Sequence, residues 1–180
     1  MSTRRLTAQE FSERFEGVRK RLWLIAAGVL CDRADADDVV QEAAIVALRR
    51  LDEFVEGTHF EAWMGRITRH VARNALRGRR RSRAAMQRLA DRTDPEHSAG
   101  PGAIGSWADD APLQAALESL EEPVRLCLLL RVVGGVQYQV IAELMEMPEG
   151  TAMSHVFRAR RKMRGLLEKA EDSPAEGRGK

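Results

Sequence analysis

Apolar residues recur every three or four positions along successive stretches of the chain, the spacing that puts them on one face of a helix. Phe11, Phe15, Val18, Leu22, Ile25, Ala26 and Val29 make the first such stripe, and Cys31–Asp32–Arg33 ends it. Asp35 stands where it can cap a second helix. Asp37 and Asp38 fall in that helix's first turn, where carboxylates suit the positive end of the dipole. Its buried stripe is expected at Val40, Ala44, Ala47, Leu48 and Leu51, with Asp38, Gln41 and Glu42 on the opposite side. Gly57 breaks the pattern and Thr58 is placed to cap a third helix. Phe60, Trp63, Ile67 and Val71 share one stripe of it. Arg66, Arg69, Arg73, Arg77 and Arg80 share the neighbouring one. At that spacing Trp63 belongs to the core.

Between residues 91 and 112 the periodicity stops. Asp94–Pro95, Ser98–Ala99–Gly100–Pro101–Gly102, Gly105 and Pro112 mark a linker, with Trp107 the one large apolar residue able to dock elsewhere. Helical spacing then returns in Leu113–Leu120 and Val124–Val133, divided by Glu121–Glu122–Pro123 and stopped by Gly134–Gly135. A short helix over Gln137–Met145, a turn at Met147–Gly150 and a basic helix from Thr151 to about Leu167 follow. Two helices joined by a tight turn, the second basic, fit a helix-turn-helix; small Ala142 and inward Val156 suit the close crossing. The pattern predicts an all-α protein of two small helical domains, an N-terminal bundle over 8–88 and a C-terminal four-helix domain over 113–170. A linker over 89–112 joins them, and a tail over 171–180 has a disordered composition.

Charge changes this picture because it is sorted along the chain. Residues 58–90 carry nine arginines against one acid, Glu61. Residues 91–122 carry eight acids against Arg92, and residues 123–167 carry seven bases against three acids. The formal net charge is only +2. Two concentrated basic surfaces point to a polyanion, and nucleic acid is the leading class. On the third helix no interleaved Glu neutralises the arginine row, so like charges repel by a few tenths of a kcal/mol per pair, roughly. A phosphate backbone would relieve that repulsion. In the helix-turn-helix, Met153, Ser154, His155 and Arg158 fall where base edges are read, and Thr151 where phosphate is held. Arg160, Arg161, Lys162 and Arg164 lie further along, where phosphate contact is expected.

Other chemistries find little support. Cys31 and Cys127 form no metal-binding or disulfide pattern, and His59, His70, His97 and His155 have no catalytic spacing. No phosphate-binding glycine loop is present, so neither an enzyme nor a cofactor or metal is expected. No apolar run is long enough to insert in a membrane, and the segment MSTRRLTAQEF lacks a signal-peptide core, so a cytoplasmic protein is expected.

Residues in both halves of the chain resemble the extracytoplasmic-function (ECF) group of the bacterial sigma-70 family. Asp35-Ala-Asp-Asp-Val-Val-Gln-Glu42 resembles the family's core-polymerase-binding helix. Phe60-Glu-Ala-Trp-Met-Gly-Arg-Ile-Thr-Arg-His70, followed by Asn74 and the arginines, resembles its −10 melting element. Further on, Tyr138-Gln-Val-Ile-Ala-Glu-Leu-Met, Gly150-Thr-Ala and Phe157-Arg-Ala-Arg160 resemble the domain that reads the −35 element. The resemblance implies that Asp35, Asp38, Gln41 and Glu42 bind core RNA polymerase. It implies that Phe60, Arg66, Arg69, His70, Arg73, Asn74, Arg77 and Arg80 meet promoter DNA at −10, and that Thr151, Met153, Ser154, His155, Arg158 and Arg161 meet it at −35. An anti-sigma factor is a further implied partner. The chain departs from the family at His70, Asn74, Met153 and His155, which implies altered −10 bases and a weaker or differently specified −35 contact.

Two other classes stay open on the residues alone. A conventional regulator would bind paired half-sites as a dimer through the helix-turn-helix. A polymerase-binding regulator would lack melting activity.

Overall fold

Helix α1 begins because Thr7 and Glu10 close a reciprocal cap. The Thr7 hydroxyl accepts from the Glu10 amide at 3.2 Å, and the Glu10 carboxylate accepts from the Thr7 amide at 2.9 Å. The computed structural model describes residues 6–90 and 111–171. Most of the expected linker, with Trp107, and the tail from residue 172 lie outside the described residues. The helices are α1 (Ala8–Leu30), α2 (Ala36–Leu48), α3 (Phe60–Ala90), α4 (Ala111–Glu118), α5 (Glu122–Val132), α6 (Tyr138–Met145) and α7 (Glu149–Glu171). A short 3-10 turn, Leu51–Glu53, lies between α2 and α3. Among the described residues there is no strand.

Two sequence expectations about helix starts need correction. Asp35 precedes α2 but its side chain makes no cap hydrogen bond; it pairs with Arg79 of α3 instead. Asp32 takes over the local turn by accepting from the Ala34 amide at 2.9 Å. The Thr58 hydroxyl donates back to the Val55 carbonyl at 2.7 Å, and α3 begins after His59. The buried stripe of α2 is also rotated. Val39, Val40, Ala43 and Ala47 face inward, and Leu48 is 43% exposed. The cause is packing on two sides, since α2 contacts both α1 and α3.

In the N-terminal half α1, α2 and α3 pack together; in the C-terminal half α7 packs on α4, α5 and α6. The halves also meet, α1 on α5 and α3 on α6. The buried apolar cluster runs from Leu6 through both halves to Met163 without a break. Each half alone has a small core, and a shared one removes more apolar surface from water. Glycines allow the close approach. A Cβ on Gly28 of α1 would stand 2.6 Å from Leu126 Cδ2 of α5, and one on Gly65 of α3 would overlap Leu144 of α6. Arg125 of α5 is buried and ties the seam. Its Nε donates to the Gly28 carbonyl at 2.7 Å, and its Nη1 donates to the Leu120 carbonyl at 2.6 Å and the Leu117 carbonyl at 3.3 Å. Arg21 of α1 adds a second tie, donating to the Gly134 carbonyl at 3.2 Å and pairing with Glu61 at 2.9 Å.

Candidate nucleic-acid interface

The arginine stripe of α3 exists because its apolar stripe is spent on the core. Phe60, Trp63, Ile67 and Val71 are buried, and Phe60 sits in an aromatic cluster with Phe11, Phe54 and Trp63 at centroid distances of 5.7, 5.7 and 5.8 Å. Phe60 is thus placed in the packing of the helix start. The neighbouring stripe faces outward along α3 and toward the C-terminal half.

Three of its cations are already engaged across that seam. Glu122, at the start of α5, accepts from Arg69 Nε at 2.8 Å. It also accepts from Arg73, Nη2 to Oε1 at 2.9 Å and Nε to Oε2 at 3.0 Å. Burial pushes the Glu122 carboxyl up, but hydrogen bonds from Arg73 and Arg69, with their charge, outweigh it and hold the pKa below the usual value. Arg66 donates to the Glu143 carbonyl at 3.3 Å, while the Glu143 carboxylate meets His59 Nδ1 at 2.6 Å. The acid that was missing within α3 is supplied from far along the chain. His70, Asn74, Arg77 and Arg80 are exposed, and Arg77 donates to Asn74.

On α2, Asp38, Gln41 and Glu42 are exposed on one face. Ile45 at 51% and Leu48 at 43% exposure continue that face for another turn. Asp35, at the start of α2, is half-buried and paired with Arg79 of α3. An acidic entry followed by bare aliphatics is the composition of a protein-docking face rather than a DNA-facing one.

On α7, Ala152, Val156, Ala159 and Met163 bury one stripe. Met153, Ser154, Phe157, Arg158, Arg160, Arg161 and Arg164 are exposed. Thr151 and His155 are half-buried. Lys162 departs from expectation: its ammonium donates to the Ser119 carbonyl at 2.6 Å, tying α7 to the end of α4. The α6–turn–α7 pair is set by Glu146, which stands in the left-handed region at φ 55°. Met147 and Pro148 carry the turn, and the Thr151 amide donates to the Pro148 carbonyl at 2.9 Å.

A family model described as Sigma-70 region 2 matches residues 15–82, the span of α1 to α3. One described as Sigma-70, region 4 matches residues 110–163, the span of α4 to most of α7. The chain is 35% identical over 138 residues to the ECF RNA polymerase sigma-E factor of Escherichia coli (strain K12), covering 70% of each chain. The chain belongs to the ECF group of the sigma-70 family.

Further relatives agree. The ECF RNA polymerase sigma factor SigE of Mycolicibacterium smegmatis is 30% identical over 159 residues, 87% of this chain and 61% of that one. The sigma factor RpoE, in co-crystals with the anti-sigma factor NepR from Bartonella quintana, superposes with a TM-score of 0.62 at 25% identity over 89% of this chain and 98% of that one. CnrH, in complex with the cytosolic domain of CnrY, shares the fold with a TM-score of 0.64 at 23% identity over 93% of this chain and 92% of that one. A sigma factor directs promoter-specific transcription, and this one presents surfaces that sequence reasoning passed over. In the sequence Glu122 marks a helix boundary, and its pairing with α3 carries no local signal. Phe157 is 69% exposed among the arginines of α7; its break from the buried stripe of that helix was a signal within reach. Ile45 showed the same signal on α2, lying four residues beyond Gln41.

Proposed function

We propose that this sigma factor binds core RNA polymerase through the exposed face of α2, holds the opened −10 strand along α3 and contacts the −35 duplex through α7. Asp38, Gln41 and Glu42 with Ile45 and Leu48 form the polymerase face on this reading, and Asp35 acts by fixing α2 to α3. Of the −10 residues that the resemblance implies, Arg77, Arg80, His70 and Asn74 are the α3 groups open to DNA now, and exposed Arg81 and Arg83 extend the basic track. Single strands need a positive track, and α3 offers one about four turns long.

The observation that carries the proposal is the engagement of Arg69 and Arg73 by Glu122. A carboxylate held by two guanidinium groups of the −10 helix stands where a phosphate would stand. Promoter melting then requires the C-terminal half to leave α3, so that both basic helices reach DNA together. Polymerase is the surface that spreads them. An anti-sigma factor, such as the one in the Bartonella quintana complex, is a fitting partner for the same surfaces. The setting that these partners imply is the cytoplasm. Among the described residues no helix is long and apolar enough to cross a membrane.

The deciding experiment is in vitro transcription with bacterial core polymerase on a pool of upstream fragments from the source genome. Discrete start sites that need this protein, lost on Arg77→Ala with Arg80→Ala, support the reading. Binding to duplex DNA as a dimer with no effect on polymerase would overturn it.

A further inference from the structure

The outward face of α7 carries two large apolar side chains in water. Met153 is 50% exposed and Phe157 69% exposed, one helical turn apart. Tyr138 of α6 lines the same open hollow with them. The polar groups of this stripe are turned back onto their own helix. The Ser154 hydroxyl donates to the Gly150 carbonyl at 2.8 Å. Arg158 donates from Nε to the Ser154 carbonyl at 3.4 Å and from Nη2 to His155 Nδ1 at 2.9 Å. A guanidinium only donates, so His155 accepts at Nδ1 and is neutral. Burial, and then the Arg158 charge, hold its pKa below the ordinary value, in keeping with that. The first turns of α7 thus present Met153 and Phe157 outward beside exposed Ser154 and Arg158, whose polar atoms are partly engaged within the helix, with exposed Arg160, Arg161 and Arg164 following.

The major groove has one apolar feature, the C5 methyl of thymine; its other edges are hydrogen-bond donors and acceptors. Resting on the reading of α7 as the −35 helix, we propose that Met153 and Phe157 are specificity-determining residues that read thymine methyl groups. The arginines beyond them choose a duplex as the occupant, because a polyanion complements them and holds α7 in the groove. Four residues of helix rise about 6 Å, and base pairs stack about 3.4 Å apart. The two methyls therefore belong to base pairs one or two steps apart. The −35 element of this sigma factor contains thymines at that spacing, and its recognition depends on contact area more than on hydrogen bonds.

Holoenzyme assembled from the full chain and core polymerase would select upstream elements from a randomised duplex pool. Each thymine of the enriched element would then be replaced by deoxyuracil, which keeps the base pairing and loses only the methyl. Affinity should fall about three- to five-fold at two positions no more than two base pairs apart, the size expected for burying one methyl group. Met153→Ala should erase the response at one position and Phe157→Ala at the other, while Met153→Leu keeps it. Binding indifferent to every deoxyuracil, or responses that survive both alanine variants, would overturn the inference. Weakened polymerase binding in those variants with the deoxyuracil response unchanged would also overturn it, placing the pair against protein. Failure to enrich any element would instead break the −35 reading of α7, and this inference with it.

Discussion

Leu144 of α6 occupies the space that Gly65 of α3 leaves open, and it is buried to 1% exposure there. The N-terminal and C-terminal halves thus interlock through a side chain on one and the lack of one on the other. Gly65→Ala forces Leu144 to shift in a site with no slack, and should cost about 1–3 kcal/mol. Leu144→Ala should cost about 2–5 kcal/mol through the cavity it leaves. The double variant should be more stable than the sum of the two losses by at least about 0.5 kcal/mol, since the new methyl enters the new cavity. Urea melts of the four proteins measure this; strict additivity would mean that the two residues do not meet.

Glu122 gives the electrostatic counterpart. Glu122→Gln keeps the shape and removes the charge shared by Arg69 and Arg73. Hydrogen bonds to charged groups contribute about 1.5–3 kcal/mol, and partial exposure of Arg73 reduces that here. We expect a loss of about 1–2 kcal/mol and several-fold tighter binding of single-stranded −10 oligonucleotide by the free protein. Fluorescence anisotropy with the isolated chain reads the second effect. Unchanged affinity would show that Glu122 does not compete with DNA.

The same pair fixes a pH dependence. The pKa of Glu122 in the folded chain lies below its ordinary 4.5. Its contribution is therefore complete above that value and is lost as pH falls through the lowered pKa. Glu61 works in the opposite sense: burial raises its pKa against the pull of Arg21, so acid relieves it. A distance label across α3 and α5 should stay constant from neutral pH to about 4.5, the ordinary value, and report separation only as pH falls further, through the lowered pKa of Glu122. In Glu122→Gln that step should vanish.

Arg125 should prove the costliest single cation to change. Arg125→Lys retains the charge, but one ammonium cannot span the Gly28 carbonyl on one side and the Leu117 and Leu120 carbonyls on the other. Losing charge-assisted bonds at a site 6% exposed should lower stability by about 3 kcal/mol. Thermal unfolding followed by circular dichroism checks it; a change within 0.5 kcal/mol, roughly the scatter of surface substitutions, would contradict the buried placement.

The two thiols supply a probe of opening. Burial pushes Cys127 up to about 11 and raises Cys31 as well, so neither is a ready thiolate at pH 8. Cys31 lines the cleft between the halves with Leu76, Arg80, Glu118 and Glu122. Iodoacetamide should modify Cys31 first, and faster in Glu122→Gln, while Cys127 waits for unfolding. Mass spectrometry of timed samples distinguishes the two sites.

These contacts mark the boundary of what could be read from the chain. Helical stripes are local, so α1, α3 and the helix-turn-helix pair were legible, as was Trp63 in the core. The exposed acidic and amide groups of α2 were legible too, because a short helix has few faces to offer. Pairings across long separations were not. Arg69 and Glu122 stand 53 residues apart, and neither neighbourhood hints at the other. Gly28 and Gly65 look like weak points of helices until a leucine from the other half is seen to fill each gap. Asp35 looked like a cap because its position suits one; the nearby Arg79 guanidinium outbid the helix amides for its carboxylate.

The double grip on Glu122 has one more consequence, in terms of mass action. A competitor carried on the same chain acts at an effective concentration set by the chain itself and not by its concentration in solution. On the proposed reading, stray single strands and the many chance sites of a chromosome face that competitor every time they approach α3. A sigma factor made in excess over polymerase would then remain unbound instead of coating the genome. Copies that have docked would be the ones able to touch it, and promoter output would follow the supply of polymerase complexes, not the supply of chain.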